Sequence, residues 1–187
     1  MEEWYAGNEL ALTGFPGTGK TFLALYLGLQ IGRVKIIRSV VPSRDMGFLP
    51  GDAEEKAAVY EAPYKSICSD LYGRGDAWGI LKHRGMVEFE TTSFLRGQTM
   101  DGTTIIVDEC QNLGYQELKT AITRVGGECR VIFCGDTGQN DLAAKSGWPA
   151  FEKVLLRMLE FSHVSFRADD IVRSGLVKSF ILAENET

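Results

Sequence analysis

Apolar runs and stretches with a helical repeat alternate along most of this chain. Leu10-Ala11-Leu12 reads as a short strand, Lys20 to about Ile31 as a helix, and Val34-Lys35-Ile36-Ile37 as a second strand, which together make a β-α-β unit. The helix sets Phe22, Leu25, Tyr26 and Leu29 at i, i+3, i+4 and i+7, while Leu23 and Leu27 make its other faces apolar, so it is expected to be largely buried. Thr104-Ile105-Ile106-Val107 and Val131-Ile132-Phe133-Cys134 are continuous apolar strands, the pattern of a parallel sheet covered on both faces. Between them Tyr115, Leu118, Ile122 and Val125 keep a helical stripe that Gly126-Gly127 ends. A later helix opens near Pro149, carries Phe151, Val154, Leu155, Met158 and Leu159, and feeds a strand around His163 to Phe166. This alternation predicts an open, mostly parallel α/β sheet with helices on both faces and right-handed crossovers.

The stretch from about 42 to 98 breaks the rhythm and reads as an insertion after the second strand. It holds Gly47-Phe48-Leu49-Pro50-Gly51-Asp52, then a helix starting near Pro63 with Tyr64, Ile67, Cys68, Leu71 and Tyr72 on one face. There is no repeat, low-complexity tract or linker, so residues 1–187 are expected to form one domain.

Composition narrows the class. With 44% hydrophobic and 24% charged residues and five prolines, the chain is neither disordered nor collagen-like. The longest charge-free stretch near the N-terminus, Thr21 to Gly32, is short of a membrane span, and the acidic start Met1-Glu2-Glu3-Trp4 lacks the look of a secretory or transit segment. A cytoplasmic location is the expectation. A net charge of -5 argues against coating nucleic acid by bulk attraction and leaves room for a local basic groove. Cys68, Cys110, Cys129 and Cys134 form no C-x-x-C pair and read as inert thiols. His83 and His163 have no ligand partner at a recognisable spacing.

Gly14-Phe15-Pro16-Gly17-Thr18-Gly19-Lys20-Thr21 fits the phosphate-binding loop G-x-x-x-x-G-K-[ST] and lies between a strand and a helix, as that motif requires. Its backbone N–H groups surround a polyphosphate at a helix N-terminus, Lys20 reaches the β- and γ-phosphates, and Thr21 meets Mg²⁺. Asp108 and Glu109 end the Ile105-Ile106-Val107 strand at the edge where α/β sheets bind ligands. Asp108 is expected to hold Mg²⁺ through water. Glu109 is expected to orient and polarise the attacking water of an ATP hydrolase, the bland alternative being a solvated carboxylate. A third strand ends in Gly135-Asp136-Thr137-Gly138-Gln139-Asn140-Asp141, where Gln139 is a candidate γ-phosphate sensor and an ordinary Asp/Gly turn is the alternative.

These residues, with Gly47 to Asp52, Glu55-Lys56, Pro63-Tyr64, Phe94-Leu95-Arg96-Gly97 then Thr99, Asp108-Glu109-Cys110-Gln111-Asn112, Thr123-Arg124 and Asp170-Ile171-Val172-Arg173-Ser174 before Leu176-Val177, resemble the PhoH family of ATPases from about Gly14 to Ile181. The resemblance implies a RecA-like P-loop core, kinship with the motor domain of superfamily one helicases, hexameric rings and a link to phosphate starvation and RNA metabolism. Cys110 stands where the family commonly has Ala, and Ser174-Gly175 where it has His-Pro or Ser-Pro. A Gln-containing segment that precedes the loop in the family and helps recognise adenine has no counterpart in the thirteen residues before Gly14.

Charge developing on the γ-phosphoryl oxygens favours an added arginine. A neighbouring subunit in a head-to-tail ring is the expected source, with Arg173 ranked first, then Arg124 and Arg96. Tyr60, Tyr64, Tyr72, Trp78 and Phe89 are interleaved with Lys56, Lys65, Arg74, Lys82, His83 and Arg84, which suits a stacked single strand or, alternatively, packing under a solvated surface. The expected function is Mg²⁺-dependent ATP hydrolysis coupled to RNA or single-stranded nucleic acid. A nucleotide-controlled assembly module acting on a protein partner is the alternative, and small-molecule phosphotransfer fits less well.

Overall fold

The computed structural model describes residues 1–39, 53–92, 95, 99–136 and 146–185, with side chains omitted at 53–58 and 185. Six strands form one sheet in the order β3-β2-β4-β5-β1-β6. They are β1 (Glu9–Gly14), β2 (Val34–Arg38), β3 (Val87–Thr91), β4 (Thr104–Asp108), β5 (Arg130–Asp136) and β6 (Phe161–Phe166). Every pairing is parallel. One strand, β5, lies between the phosphate-loop strand β1 and the acid-bearing strand β4, the order of a RecA-like core. No described helix is long and apolar enough to cross a membrane.

The helices are α1 (Glu2–Tyr5), α2 (Lys20–Ile31), α3 (Ala53–Tyr72), α4 (Ala77–His83), α5 (Tyr115–Ile122), α6 (Trp148–Leu155) and α7 (Gly175–Asn185). Alternate strand residues feed two cores. Leu12, Ile36, Ile106 and Ile132 pack under α2, α3 and α4, whereas Ile37, Ile105, Val107 and Phe133 pack under α5 and α6. Central β4 is buried at all five positions, and edge strand β6 is half-buried and exposed in turn, which is why one reads as a continuous apolar run and the other does not.

Several expectations need correction. Phe22 is exposed, and the buried face of α2 is made by Ala24, Leu25, Leu27 and Gly28. Small residues set that face because the helix lies so close to the sheet: a β-carbon on Gly28 would sit 2.8 Å from Val34 Cγ2 and 3.2 Å from Thr104 Cγ2. Helix α3 begins at Ala53 and carries Pro63 inside it. Pro63 lies on an exposed face, where water can serve the carbonyl freed four residues earlier. Helix α5 stops at Ile122, and Val125 instead bridges to Met100. Helix α6 ends at Leu155, leaving Val154 and Leu159 exposed.

The 42–98 stretch is more than an addition, because it supplies α3, α4 and the sheet's edge strand β3. Val87, Phe89 and Thr91 alternate there with Glu88 and Glu90, a polar pattern suited to an edge. Lys35 of neighbouring β2 pairs with both glutamates, at 3.1 Å and 2.9 Å. On the opposite flank, Arg130 lies 3.8 Å over the Trp4 ring and donates to the carbonyl of Asn8, fixing α1 to the amino end of the sheet.

Candidate nucleotide site

The loop between β1 and α2 turns on glycines with positive φ, Gly14 at 121°, Gly17 at 72° and Gly19 at 84°. At Gly14 the need is also steric, since a β-carbon would run into the Phe166 carbonyl. Phe15 N–H donates to that same carbonyl at 3.2 Å, which ties the loop to β6. Lys20 is buried and folds back into the loop, donating to the carbonyls of Phe15 (2.6 Å) and Gly14 (3.3 Å) and to Thr18 Oγ1 (3.2 Å). Thr18 Oγ1 itself donates to Phe15 O at 2.9 Å. Lys20 also makes a 2.7 Å ion pair with Asp136 at the end of β5.

The acids expected beside the loop are there. Thr21 Oγ1 donates to Asp108 Oδ1 at 3.0 Å, joining the first turn of α2 to the end of β4. Burial raises the Asp108 carboxyl above the usual carboxylate range, against hydrogen bonds from Tyr64 and Thr21 and the charge of Arg38. Glu109 leaves the strand in a left-handed conformation, φ 54° and ψ 44°, a strained arrangement for a side-chain-bearing residue that turns it out of the sheet. Its carboxyl is pushed up to about 7, by burial first and then by the charges of Asp108 and Asp136, against Arg38 and Gln111.

Sequence reasoning gave three residues of this site no part in it, although Tyr64 was a candidate stacking ring and Gln111 belonged to the family match. Gln111, almost wholly buried, donates through Nε2 to Glu109 Oε2 at 2.7 Å and accepts from Asp136 N–H through Oε1 at 2.9 Å, clasping the ends of β4 and β5 together. Tyr64 donates to Asp108 Oδ2 at 2.8 Å. Arg38 stands 3.9 Å from Glu109 Oε1. A signal for Arg38 existed: in the β2/β4 register it lies opposite Asp108, so pairing the two apolar strands brings it to the acidic edge. Behind the site the Trp148 indole packs directly on Gly135, where a β-carbon would lie 2.6 Å from the ring.

Arg173 lies against the phosphate loop of its own chain. A β-carbon on Gly17 would come within 2.9 Å of Arg173 Cγ and 3.5 Å of Nε, and Val172 N–H donates to Gly17 O at 3.1 Å. Arg124, half-buried at the end of α5, has a buried Nε without a hydrogen-bond partner. Arg96 and Gln139, like residues 47–52 and the rest of 137–145, lie outside the described residues. The aromatic side chains of α3 and α4 divide: Tyr60 is half-buried and Tyr72 exposed. Tyr64 and Trp78 are buried, and the Tyr64 ring lies 6.2 Å from Trp78 and 5.7 Å from Phe89, so these rings make core and offer no stacking platform.

A hydroxyl and a carboxylate oxygen meeting beside a phosphate loop are hard donors of the kind Mg²⁺ takes alongside nucleotide phosphates and water. Thr21 and Asp108 therefore fit that ion. Among the described residues no group of three or more His, Cys, Asp or Glu side chains could hold a metal ion.

The family model described as PhoH-like protein matches residues 7–184. The PhoH-like protein of Bacillus subtilis (strain 168) is 34% identical over 186 residues, covering 94% of this chain and 58% of that protein. Protein PhoH of Escherichia coli (strain K12) is 31% identical over 175 residues, covering 88% and 49%. The chain thus spans about half the length of the curated relatives it matches. Among solved structures, the Hef helicase domain of Pyrococcus furiosus aligns over 91% of this chain and 38% of that one, with a TM-score of 0.43 at 14% identity, a distant likeness. The phosphate loop, the acids at the end of β4 and the match along nearly the whole chain lead to one conclusion: this chain belongs to the PhoH family, as a P-loop domain built for a nucleotide.

Proposed function

We propose that the chain binds ATP with magnesium and hydrolyses it, coupling hydrolysis to RNA or another single strand within a ring of identical subunits in the cytoplasm. The observation that carries this reading is the Thr21–Asp108 hydrogen bond with Glu109 beside it, which brings the loop and the water-activating acid to one point. Backbone N–H groups from Gly14 to Gly19 bind the phosphates, and Lys20 exchanges its carbonyl and Asp136 partners for β- and γ-phosphate oxygens. Magnesium, when bound, neutralises charge on the phosphates. Glu109, held by Gln111, takes the proton of the attacking water.

Arg173, set against Gly17, serves the γ-phosphate of its own chain, which leaves Arg124 or Arg96 for a neighbouring subunit. Gln139, three residues after Asp136 in sequence, senses the γ-phosphate. The four cysteines are free thiols, which suits a reducing compartment. Purified protein assayed with and without single-stranded RNA tests the coupling: turnover raised by RNA supports it, and equal turnover overturns it.

One observation favours the assembly reading. Beside the loop, α7 exposes Leu176 and Phe180, 83% and 65% accessible, an apolar face suited to a partner chain. Light scattering with and without nucleotide separates the two readings. Assembly driven by ATP with RNA-independent turnover favours the module.

A further inference from the structure

The Tyr64 phenol is wholly buried, and a phenylalanine would fill the same space among Trp78 and Phe89. A hydroxyl carried that deep is costly unless it is used. It is used on Asp108. Tyr64 Oη donates to Oδ2 at 2.8 Å and Thr21 Oγ1 donates to Oδ1 at 3.0 Å, so each carboxylate oxygen has a side-chain donor, and the Glu109 backbone N–H is a further donor to the group. Tyr64 and Thr21, on opposite oxygens, restrain the rotation of the carboxylate from both sides.

Tyr64 is itself held in place. One turn earlier on α3, the buried Glu61 carboxylate accepts from Trp78 Nε1 at 3.0 Å and pairs with Lys82 at 2.7 Å, locking α3 to α4.

We propose that Tyr64 is a positioning residue that orients Asp108 for magnesium and makes the metal affinity of the site depend on the seating of α3. The inference rests on the magnesium–nucleotide reading above. Groups that orient metal-binding side chains typically change affinity or activity by about 10- to 100-fold when removed.

The test is Tyr64→Phe, read by binding of a fluorescent ADP analogue titrated with MgCl₂. The expected result is a magnesium midpoint raised about tenfold, with analogue affinity in EDTA unchanged and turnover restored at saturating magnesium. A tyrosine that only packs would lower the melting temperature without moving the magnesium midpoint, and that result overturns the proposal. An unaltered chain whose analogue binding ignores magnesium overturns the magnesium reading and this inference together. A second measurement needs no variant. In protein labelled with ¹³Cζ-tyrosine, the exchange-protected hydroxyl proton of Tyr64 should shift on adding ADP with Mg²⁺ and stay put with ADP and EDTA. Equal spectra in the two conditions overturn the proposal.

Discussion

Lys20 and Asp136 form a 2.7 Å ion pair across the mouth of the phosphate loop, so the residue proposed to meet the nucleotide is held by an acid at the end of β5. A phosphate has to compete with that acid. In Asp136→Asn the nucleotide-free chain loses a charge-assisted contact worth about 2 kcal/mol to a buried ammonium, and the melting temperature falls. Magnesium-free ADP binds more tightly to the variant, because Lys20 gives up less to reach it. Thermal shift with and without ADP checks both: a larger nucleotide-induced shift on a lower baseline is expected, and an unchanged shift contradicts the competition.

Glu109→Gln keeps the shape of the site and removes the proposed base. ATP binding, followed by a fluorescent analogue, is expected to stay within a few-fold of the unaltered chain, while turnover falls on the order of 10² to 10⁴. Equal loss of binding and turnover would mean that Glu109 shapes the pocket and does not activate water.

Because Arg173 packs on the loop of its own chain, its effect should be confined to that chain. Arg173→Ala is expected to lower turnover on the order of 10³. Doping the variant into the unaltered protein discriminates the source: activity declining in proportion to the variant fraction fits a group acting on its own site, and a steeper decline fits one reaching into a neighbour.

The raised Glu109 carboxyl makes stability depend on pH. It titrates at about 7 in the folded chain against an ordinary value near 4.5. Between those values the folded state binds more protons than the unfolded one, so stability falls as pH rises through that window and levels off above it. Asp108, also raised, acts with the same sign. The groups facing Glu109 are Asp108 on its own strand, Arg38 on β2, Asp136 on β5 and the neutral Gln111. The melting temperature of metal- and nucleotide-free protein should drop from about pH 5 to about pH 8, and drop less in Glu109→Gln. Superimposable profiles would contradict the burial of this acid.

What the sequence disclosed follows from what controls each element. Strands β1, β2, β4 and β5 have interior positions, so burial writes them as apolar runs, and the loop motif marks α2 to the residue. Strand β3 escaped because an edge strand carrying Glu88 and Glu90 has no such run. Helix α3 was read ten residues short because Pro63 suits a first turn as well as an exposed interior position. At the site, the positions of Lys20 and Thr21 were legible from the loop motif, and those of Asp108 and Glu109 from their place at the end of an apolar strand. The roles of Tyr64 on Asp108 and of Arg38 by Glu109 were not read, since they arise only when α3 and β2 are brought against β4.

The contact of Trp148 with Gly135 has a practical consequence. That indole touches the residue next to Asp136, the partner Lys20 must leave, so it is an optical reporter built into the chain. Its emission should change as nucleotide enters, and stopped-flow mixing could then time the loop's rearrangement without any attached dye.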